Sequence, residues 1–396
     1  MTRAPAGSLQ ELIQTRRVLI CCGSGGVGKT TTSAALALEA AMLGRKAVVC
    51  TIDPARRLAS SLGLTELGSE VVQVAPERFQ AAGLEPRGSL HALMLDTKRT
   101  FDRLIERYAK DPERRRRILA NKFYQQMSST VVGSSDYMAM ERLHELHEEG
   151  SYDLIVLDTP PTKHALDFLQ APERMSKAFD QSTLEVFLKP WADAGAKSLG
   201  FIGRALGKVV EKVDAVLGLQ FVQDLADFFR DFEGMYEGFR TRAQRVNALL
   251  REPFTGFVVV TSPQPLPLQE AGYFCDRLRE FQLPLEGVVM NRVHPGCLAD
   301  PRPLMDRVAR EGRERVLTSA LEAAQRTGDA APVEPFLRAF LDQELLAQGD
   351  RQRVEAFVHG PARGVLVQRV PAFARDVHDL GGLHAVGERL LMGGGA

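Results

Sequence analysis

Short apolar runs recur along the chain and alternate with segments whose apolar positions follow a helical period. Most runs are continuous, which is the pattern of strands buried on both faces of a parallel sheet. Such alternation of strands and helices predicts an α/β fold with a mostly parallel central sheet flanked by helices. The predicted strands occupy residues 18–22, 46–52, 71–74, 90–95, 152–158, 255–261, 287–290 and 364–371.

Two long segments, 97–150 and 165–250, are predicted to be helical insertions into a single domain that spans residues 1–396. Within the second segment, the stretch 195–239 is dense in large apolar residues. Positions 202, 206, 209, 213, 216 and 217 fall on one face of a helix. This stretch predicts either the packed interior of a helical subdomain or a movable groove that binds an apolar helix of another protein.

Composition narrows the class of protein without changing the predicted fold. The chain has 396 residues, of which 44% are hydrophobic and 25% are charged, so it can bury one large core. Lys plus Arg and Asp plus Glu both total 50, so no nucleic-acid partner is expected from overall charge. Residues 1–15 lack a secretion signal and no apolar run could span a bilayer, so we expect a cytoplasmic protein.

The cysteines and histidines form no recognisable metal or disulfide pattern. None of the five cysteines belongs to a C-x-x-C pair, so they are predicted to be buried thiols, and no structural zinc is expected. His144 and His147 have helical spacing but lack a third ligand in the sequence around them. These two histidines, together with His91, His164 and His294, are therefore predicted to lie at the surface.

The first strand leads into a glycine-rich loop that matches G-x-x-x-x-G-K-[ST] between Gly23 and Thr30. Glycines allow successive backbone N–H groups to turn inward around an anion, and the following helix directs its positive end at the same place. Lys29 would reach the terminal phosphates, and the Thr30 hydroxyl would bind Mg²⁺. The alternative is a glycine-rich turn without a ligand, but the motif and both flanking elements favour a phosphate cradle.

Two further strands end at aspartates. Asp53 follows the run 46–52, and Asp158 closes the run 152–158. Because loops at the carboxyl ends of parallel strands carry the ligand sites of open sheets, both carboxylates are expected near the cradle. Asp158 could hold Mg²⁺ through water, as the second acidic motif of phosphate-loop nucleotidases does.

With these motifs in place, the chain resembles the anion-transporting ATPase family. This family includes the arsenite-pump ATPase and the ATPase that escorts tail-anchored membrane proteins. The resemblance covers nearly the whole chain and is carried by residues 23–33, 51–55, 157–164, 289–292 and 370–371.

The resemblance implies a phosphate-loop NTPase fold that binds ATP and Mg²⁺. It implies that the cradle residues hold the phosphates, that Thr30, Asp53 and Asp158 serve the metal, and that Asp53 orients the attacking water. It also implies that Asn291 recognises adenine, with Pro371 closing the base pocket, and that the protein works as a dimer. The cradle residues are Gly25, Gly26, Val27, Gly28, Lys29, Thr30 and Thr31.

The sequence departs from the family pattern in three places. Ser24 replaces the lysine that in relatives reaches across the dimer, which predicts slow hydrolysis unless Lys163, Arg56, Arg57 or a lysine of a paralogous partner substitutes for it. Only Cys297 stands where some relatives have a zinc-binding pair, so zinc-linked dimerisation is not expected. Segment 97–250 has no cysteine, which disfavours a metalloid site.

Three functions remain open at this point. The first is an ATPase, working as a homodimer or a heterodimer with a paralogous ATPase, that couples hydrolysis to a hydrophobic helix client or a membrane-associated partner. The second is a nucleotide-dependent scaffold that hydrolyses ATP poorly and pairs with a paralogous ATPase. The third is the energising subunit of an anion (arsenite) efflux pump.

Overall fold

An eight-stranded sheet forms the centre of the molecule. The computed structural model describes residues 7–52, 57–64, 67–130, 134–159, 224, 227–228, 230–232, 235–326 and 333–392. The strands are β1 (Val18–Cys22), β2 (Lys46–Thr51), β3 (Val72–Gln73), β4 (Ser89–Met94), β5 (Leu154–Asp158), β6 (Thr255–Thr261), β7 (Leu285–Val293) and β8 (Leu366–Pro371).

Helices flank this sheet. Those before β5 are α1 (Leu9–Thr15), α2 (Lys29–Met42), α3 (Arg57–Ser61), α4 (Pro76–Ala81), α5 (Thr97–Tyr108), α6 (Pro112–Ala120), α7 (Lys122–Thr130) and α8 (Ser134–Glu149). Those after β5 are α9 (Tyr236–Leu249), α10 (Pro265–Glu280), α11 (Arg302–Glu311), α12 (Arg313–Arg326), α13 (Val333–His359) and α14 (Leu380–Leu391).

The strand order is β3-β4-β2-β5-β1-β6-β7-β8, and every pair is parallel except β3 with β4. All residues of β1, β5 and β6 are buried, as the continuous apolar runs predicted. The predicted α/β fold with a mostly parallel sheet is therefore confirmed. Because β1 lies between β5 and β6, the loops that follow these strands meet at one edge of the sheet.

β7 is longer than the apolar run predicted. It continues through Asn291 and Arg292 to Val293, which pairs with Pro371 of β8. The register shifts between Met290 and Val293, and Arg292 has a φ of 58°. A bulge of this kind redirects side chains at a strand end. Because the residues within it are polar, the apolar pattern did not predict this extension of β7.

Two apolar cores lie on opposite faces of the sheet. One packs α1, α2 and α14 against it, and the other contains residues of α5, α8, α9 and α10. Phe228, Phe232 and Phe239 belong to the second core, so this end of the apolar stretch 195–239 is packed interior. Residues 195–223 of that stretch lie outside the described residues, as does most of the predicted insertion 165–250.

The prediction of surface histidines is wrong for His91 and His144, which are both buried. His144 lies on α8, where its ring faces Glu148 at 3.7 Å and stands near Arg242 of α9. Burial and the positive charge of Arg242 lower the pKa of His144 to about 4. The spacing of the histidines alone did not indicate that this face of α8 is buried.

The prediction of buried thiols is confirmed for four of the five cysteines, and Cys297 is exposed. Burial raises the pKa of the Cys21 thiol to about 12 and that of Cys275 to about 11. These thiols therefore stay protonated and unreactive at neutral pH. Within the described residues, no helix combines the length and apolar character needed to cross a membrane.

Candidate functional site

The glycine-rich loop joins β1 to α2 at the carboxyl edge of the sheet. Gly28 precedes α2 with a φ of 95°, a left-handed conformation that favours glycine. A Cβ atom at this position would also lie 2.3 Å from the amide nitrogen of Asn291. Gly25 and Gly26 are exposed at the tip of the loop. The loop thus has the form of a cradle that a side chain at Gly28 would fill.

Lys29 opens α2, and its side chain is folded over the loop. Its Nζ donates a hydrogen bond of 2.8 Å to the backbone oxygen of Ser24, and the residue is 7% exposed. The Ser24 hydroxyl is buried as well and makes no hydrogen bond within the described part of the chain. The ammonium group and the loop are therefore already in contact.

A hydroxyl from the first turn of α2 and a carboxylate from β5 meet next to the loop. Thr30 Oγ1 donates to Asp158 Oδ2 at 2.7 Å, and Thr51 Oγ1 donates to the same oxygen at 2.8 Å. Asp158 pairs with Cys21 of β1 and with Thr51 of β2, so its position follows from the strand order. The next residue, Thr159, is held against β1, because its Oγ1 donates to the backbone oxygen of Cys21 at 2.9 Å.

This group of oxygens suits Mg²⁺, which prefers hydroxyl, carboxylate, phosphate and water ligands. The sequence predicted Thr30 and Asp158 as metal residues, and the fold places them together. Thr51 was not predicted; its only signal was its place at the end of a strand that leads to an aspartate. Asp53, the third predicted metal residue, lies outside the described residues.

A cavity of about 730 Å³ opens beside the cradle. Its walls include Gly28 and Thr31 from the loop and α2, Asn291 from β7, and Pro371 from β8. Asn291 also braces the loop, because its Nδ2 donates to the Val27 oxygen at 2.8 Å. Two of the residues predicted for the phosphates and both residues predicted for adenine therefore line one cavity, whose volume lies in the usual range for ligand pockets.

The sheet, the glycine loop and the strand-ending carboxylate together define a phosphate-loop nucleotide-binding protein. The family model described as anion-transporting ATPase matches residues 16–315, and the chain belongs to that family. The match includes the loop, Asp158 and Asn291, whereas α13, β8 and Pro371 lie beyond it.

Relatives with established names resemble most of this chain. ATPase GET3 of Malassezia globosa is 26% identical over 289 residues, which cover 72% of this chain and 76% of that protein. ATPase get3 of Schizosaccharomyces japonicus is 25% identical over 299 residues, with coverages of 74% and 79%. ATPase ASNA1 homolog 1 of Paramecium tetraurelia is 26% identical over 284 residues, with coverages of 71% and 76%. These relatives support ATPase activity in general.

Proposed function

We propose that this protein binds ATP with Mg²⁺ and hydrolyses it to ADP and phosphate. The observation that carries the proposal is the hydrogen bond of 2.7 Å between Thr30 Oγ1 and Asp158 Oδ2. It joins the end of the phosphate loop to the strand-ending carboxylate, the pair that phosphate-loop enzymes place at their metal. The family match and the named ATPases support the same activity.

Each residue has a proposed part in this reaction. The amides from Gly25 to Thr31 and the Lys29 ammonium hold the phosphates, and Thr30 and Asp158 hold Mg²⁺. When bound, the metal neutralises charge on the phosphate oxygens. Asp53 orients the water, which attacks the γ-phosphate in line. The cavity lined by Asn291 and Pro371 would take the base.

Phosphate release by the purified protein tests the proposal. We expect release that requires both ATP and Mg²⁺ and that falls to background in Lys29→Ala, because the cradle loses its cation. Asp53→Asn is expected to keep nucleotide binding while losing release. Equal release by wild type and Lys29→Ala would contradict the proposal.

We also propose that the protein works as a nucleotide-gated dimer that couples hydrolysis to a hydrophobic helix client. The family supports the dimer, and the apolar stretch 195–239 supports the client. We expect sedimentation velocity to show a dimer whose stability changes between ADP and a non-hydrolysable ATP analogue. We expect an apolar helical peptide to bind in only one of these nucleotide states. A monomer under all conditions would contradict this part.

A hydrolysis-poor scaffold is the second candidate, and Ser24 favours it. This position has a neutral hydroxyl buried in the loop, where a cation would stabilise the charge of the transferred phosphoryl group. Saturable ATP binding with negligible phosphate release would support the scaffold. Brisk release that survives Lys163→Ala, Arg56→Ala and Arg57→Ala would exclude both the scaffold and a substitute cation from this chain.

A further inference from the structure

α13 holds the segment that leaves β7, residues 294–298, through three side chains on its inner face. Gln343 Nε2 donates to the Pro295 oxygen at 2.8 Å. Glu344 accepts from the backbone nitrogens of Cys297 and Leu298. Asp350 accepts from His294. The helix therefore fixes the course of the chain immediately after Asn291, although it lies beyond the range that the family model matches.

Asp350 is 2% exposed, and both of its carboxylate oxygens are used. Oδ2 accepts from the His294 backbone nitrogen at 2.9 Å and contacts the ring Nδ1 at 2.7 Å. Oδ1 accepts from Arg353 at 2.7 Å. Because an ionised carboxylate can only accept, the hydrogen of the neutral imidazole must sit on Nδ1. The other ring nitrogen, Nε2, is then a hydrogen-bond acceptor.

The ring of His294 lines the same cavity as Asn291 and Pro371. Its side chain is 37% exposed, and Nε2 makes no hydrogen bond to any residue of the described ranges. Asn291, in contrast, already donates one side-chain N–H to the Val27 backbone oxygen, and its Oδ1 accepts from the Arg292 backbone nitrogen at 2.9 Å. His294 therefore presents an uncommitted acceptor to the cavity.

We propose that His294 Nε2 accepts a hydrogen bond from the 6-amino group of the bound nucleobase, with Asp350 as its positioning residue. This inference rests on the proposed nucleotide binding and deepens it by naming a residue that selects the base. A 6-oxopurine would place a second acceptor opposite Nε2, and neither group could then be satisfied. His294 thus favours adenine over hypoxanthine and guanine.

Equilibrium titration with ATP, ITP and 2′-deoxy-ATP in the presence of Mg²⁺ tests this. We expect wild type to bind ATP about five- to tenfold more tightly than ITP, the size of one neutral hydrogen bond. His294→Ala is expected to lower ATP affinity and to leave ITP affinity unchanged or raised, because the opposing acceptor is gone, so that the ratio of the two affinities approaches one. His359→Ala, which removes an exposed histidine at the end of α13, is the matched control and should behave as wild type.

Two further variants distinguish recognition of the base by His294 from a purely structural role of this residue. His294→Gln is expected to keep part of the preference for ATP, because its amide oxygen can accept from the amino group. Asp350→Asn is expected to reduce the ratio of ATP affinity to ITP affinity, because an amide no longer fixes the ring hydrogen of His294 on Nδ1. Asp350 itself does not contact the nucleotide in this proposal. The ratio is the decisive readout, since general loosening of the pocket would weaken both nucleotides alike.

An unchanged ATP-to-ITP ratio in both His294→Ala and His294→Gln would overturn the inference. So would a change confined to 2′-deoxy-ATP, which would assign His294 to the ribose. Either result leaves the proposed function intact, because wild type still binds ATP. Absence of saturable ATP binding to wild type would instead remove the proposed function and this inference together.

Discussion

Asp158 accepts hydrogen bonds from two threonines that lie on different elements, Thr30 of α2 and Thr51 of β2. Replacing it with asparagine keeps its shape but removes the negative charge. We expect Asp158→Asn to lower Mg²⁺-dependent phosphate release by about 100-fold or more, because metal binding contributes several kcal/mol to the barrier. Phosphate release measured across Mg²⁺ concentrations checks this.

Asp276→Asn is the control for that experiment, because Asp276 is an exposed carboxylate on α10 whose ion pair is with Arg279 of the same helix. It should leave release and its Mg²⁺ dependence unchanged. If Asp158→Asn also retained both, the carboxylate would have no part in metal binding.

Alanine substitutions at two glycines of the loop distinguish backbone strain from steric exclusion as causes of lost nucleotide affinity. Gly26 and Gly28 have φ values of 76° and 95°, so alanine is strained at both. Among the described residues, the new Cβ would meet an atom only at Gly28, where the Asn291 amide nitrogen lies at 2.3 Å; at Gly26 none of their atoms lies within 4 Å. We therefore expect Gly28→Ala to lose more nucleotide affinity than Gly26→Ala, as measured by titration. Equal losses would mean that strain alone accounts for both.

At the residue scale, local spacing predicted the cradle, since Gly23 to Thr30 are contiguous. Asp158 was expected near the cradle because it ends a parallel strand, but the particular hydrogen bonds that the sheet brings together were not predicted. Thr30 and Asp158 are 128 residues apart, and Asn291 and Val27 are 264 apart. The brace from Asn291 to the loop depends on the bulge in β7, which no run of apolar residues indicates.

At the scale of elements, α14 packs against α2, the helix that follows the phosphate loop. His384 Nδ1 lies 2.7 Å from Glu39 Oε1, and a Cβ at Gly387 would lie 2.2 Å from the same oxygen. We expect Gly387→Ala to lower the free energy of unfolding by about 1–3 kcal/mol, the usual cost of overpacking. Denaturant unfolding measures it.

Gly381→Ala is the matched control on the same helix, because its Cβ would make an ordinary contact with Asp379 Oδ1 at 3.7 Å. Alanine has the higher helix propensity, so this variant should gain about 0.5–1 kcal/mol. A Gly387→Ala variant as stable as Gly381→Ala would mean that α14 does not press on Glu39.

Elements were predicted best where their pattern is strong. The buried strands β1, β5 and β6 are continuous apolar runs that the sequence marks unambiguously. The contacts of α13 with residues 294–298 were not predicted, because the buried carboxylates that make them look like ordinary surface charges of a helix in sequence. Burial of Glu344 and Asp350 becomes visible only when the chain is folded.

At the scale of the whole molecule, burial of His144 predicts how stability depends on pH. Burial and the nearby Arg242 lower its pKa from 6.5 to about 4 in the folded protein. Between these values the unfolded chain binds a proton that the folded protein does not. The stabilisation from neutral His144 is therefore complete above pH 6.5 and is lost as the pH falls toward 4.

We expect the melting temperature to fall between pH 7 and pH 5, and to fall less in His144→Gln, because glutamine does not titrate. Glu141 lies nearby with a raised pKa, which has the opposite sign, so the difference between wild type and variant is the quantity to compare. His359→Gln, at an exposed histidine, should match wild type. A pH dependence identical in His144→Gln would exclude this histidine as its source.

The α/β class followed from the alternation of strands and helices, but the strand order did not. Placing β1 between β5 and β6 depends on crossovers that pass over the sheet, and the sequence carries no local signal for them. The two predicted helical insertions stay predictions. α5 to α8 lie within the first, and most of the second is outside the described residues.

The central claim is that the loop from Gly23 to Thr30, with Asp158 beside it, grips a nucleotide through its phosphates and its metal. Titration of the purified protein with fluorescent ATP, with and without Mg²⁺, tests this claim most directly. The account predicts saturable binding of one nucleotide per chain that tightens with Mg²⁺ and is lost in Lys29→Ala. No saturable binding, or binding unaffected by Lys29→Ala, would contradict it.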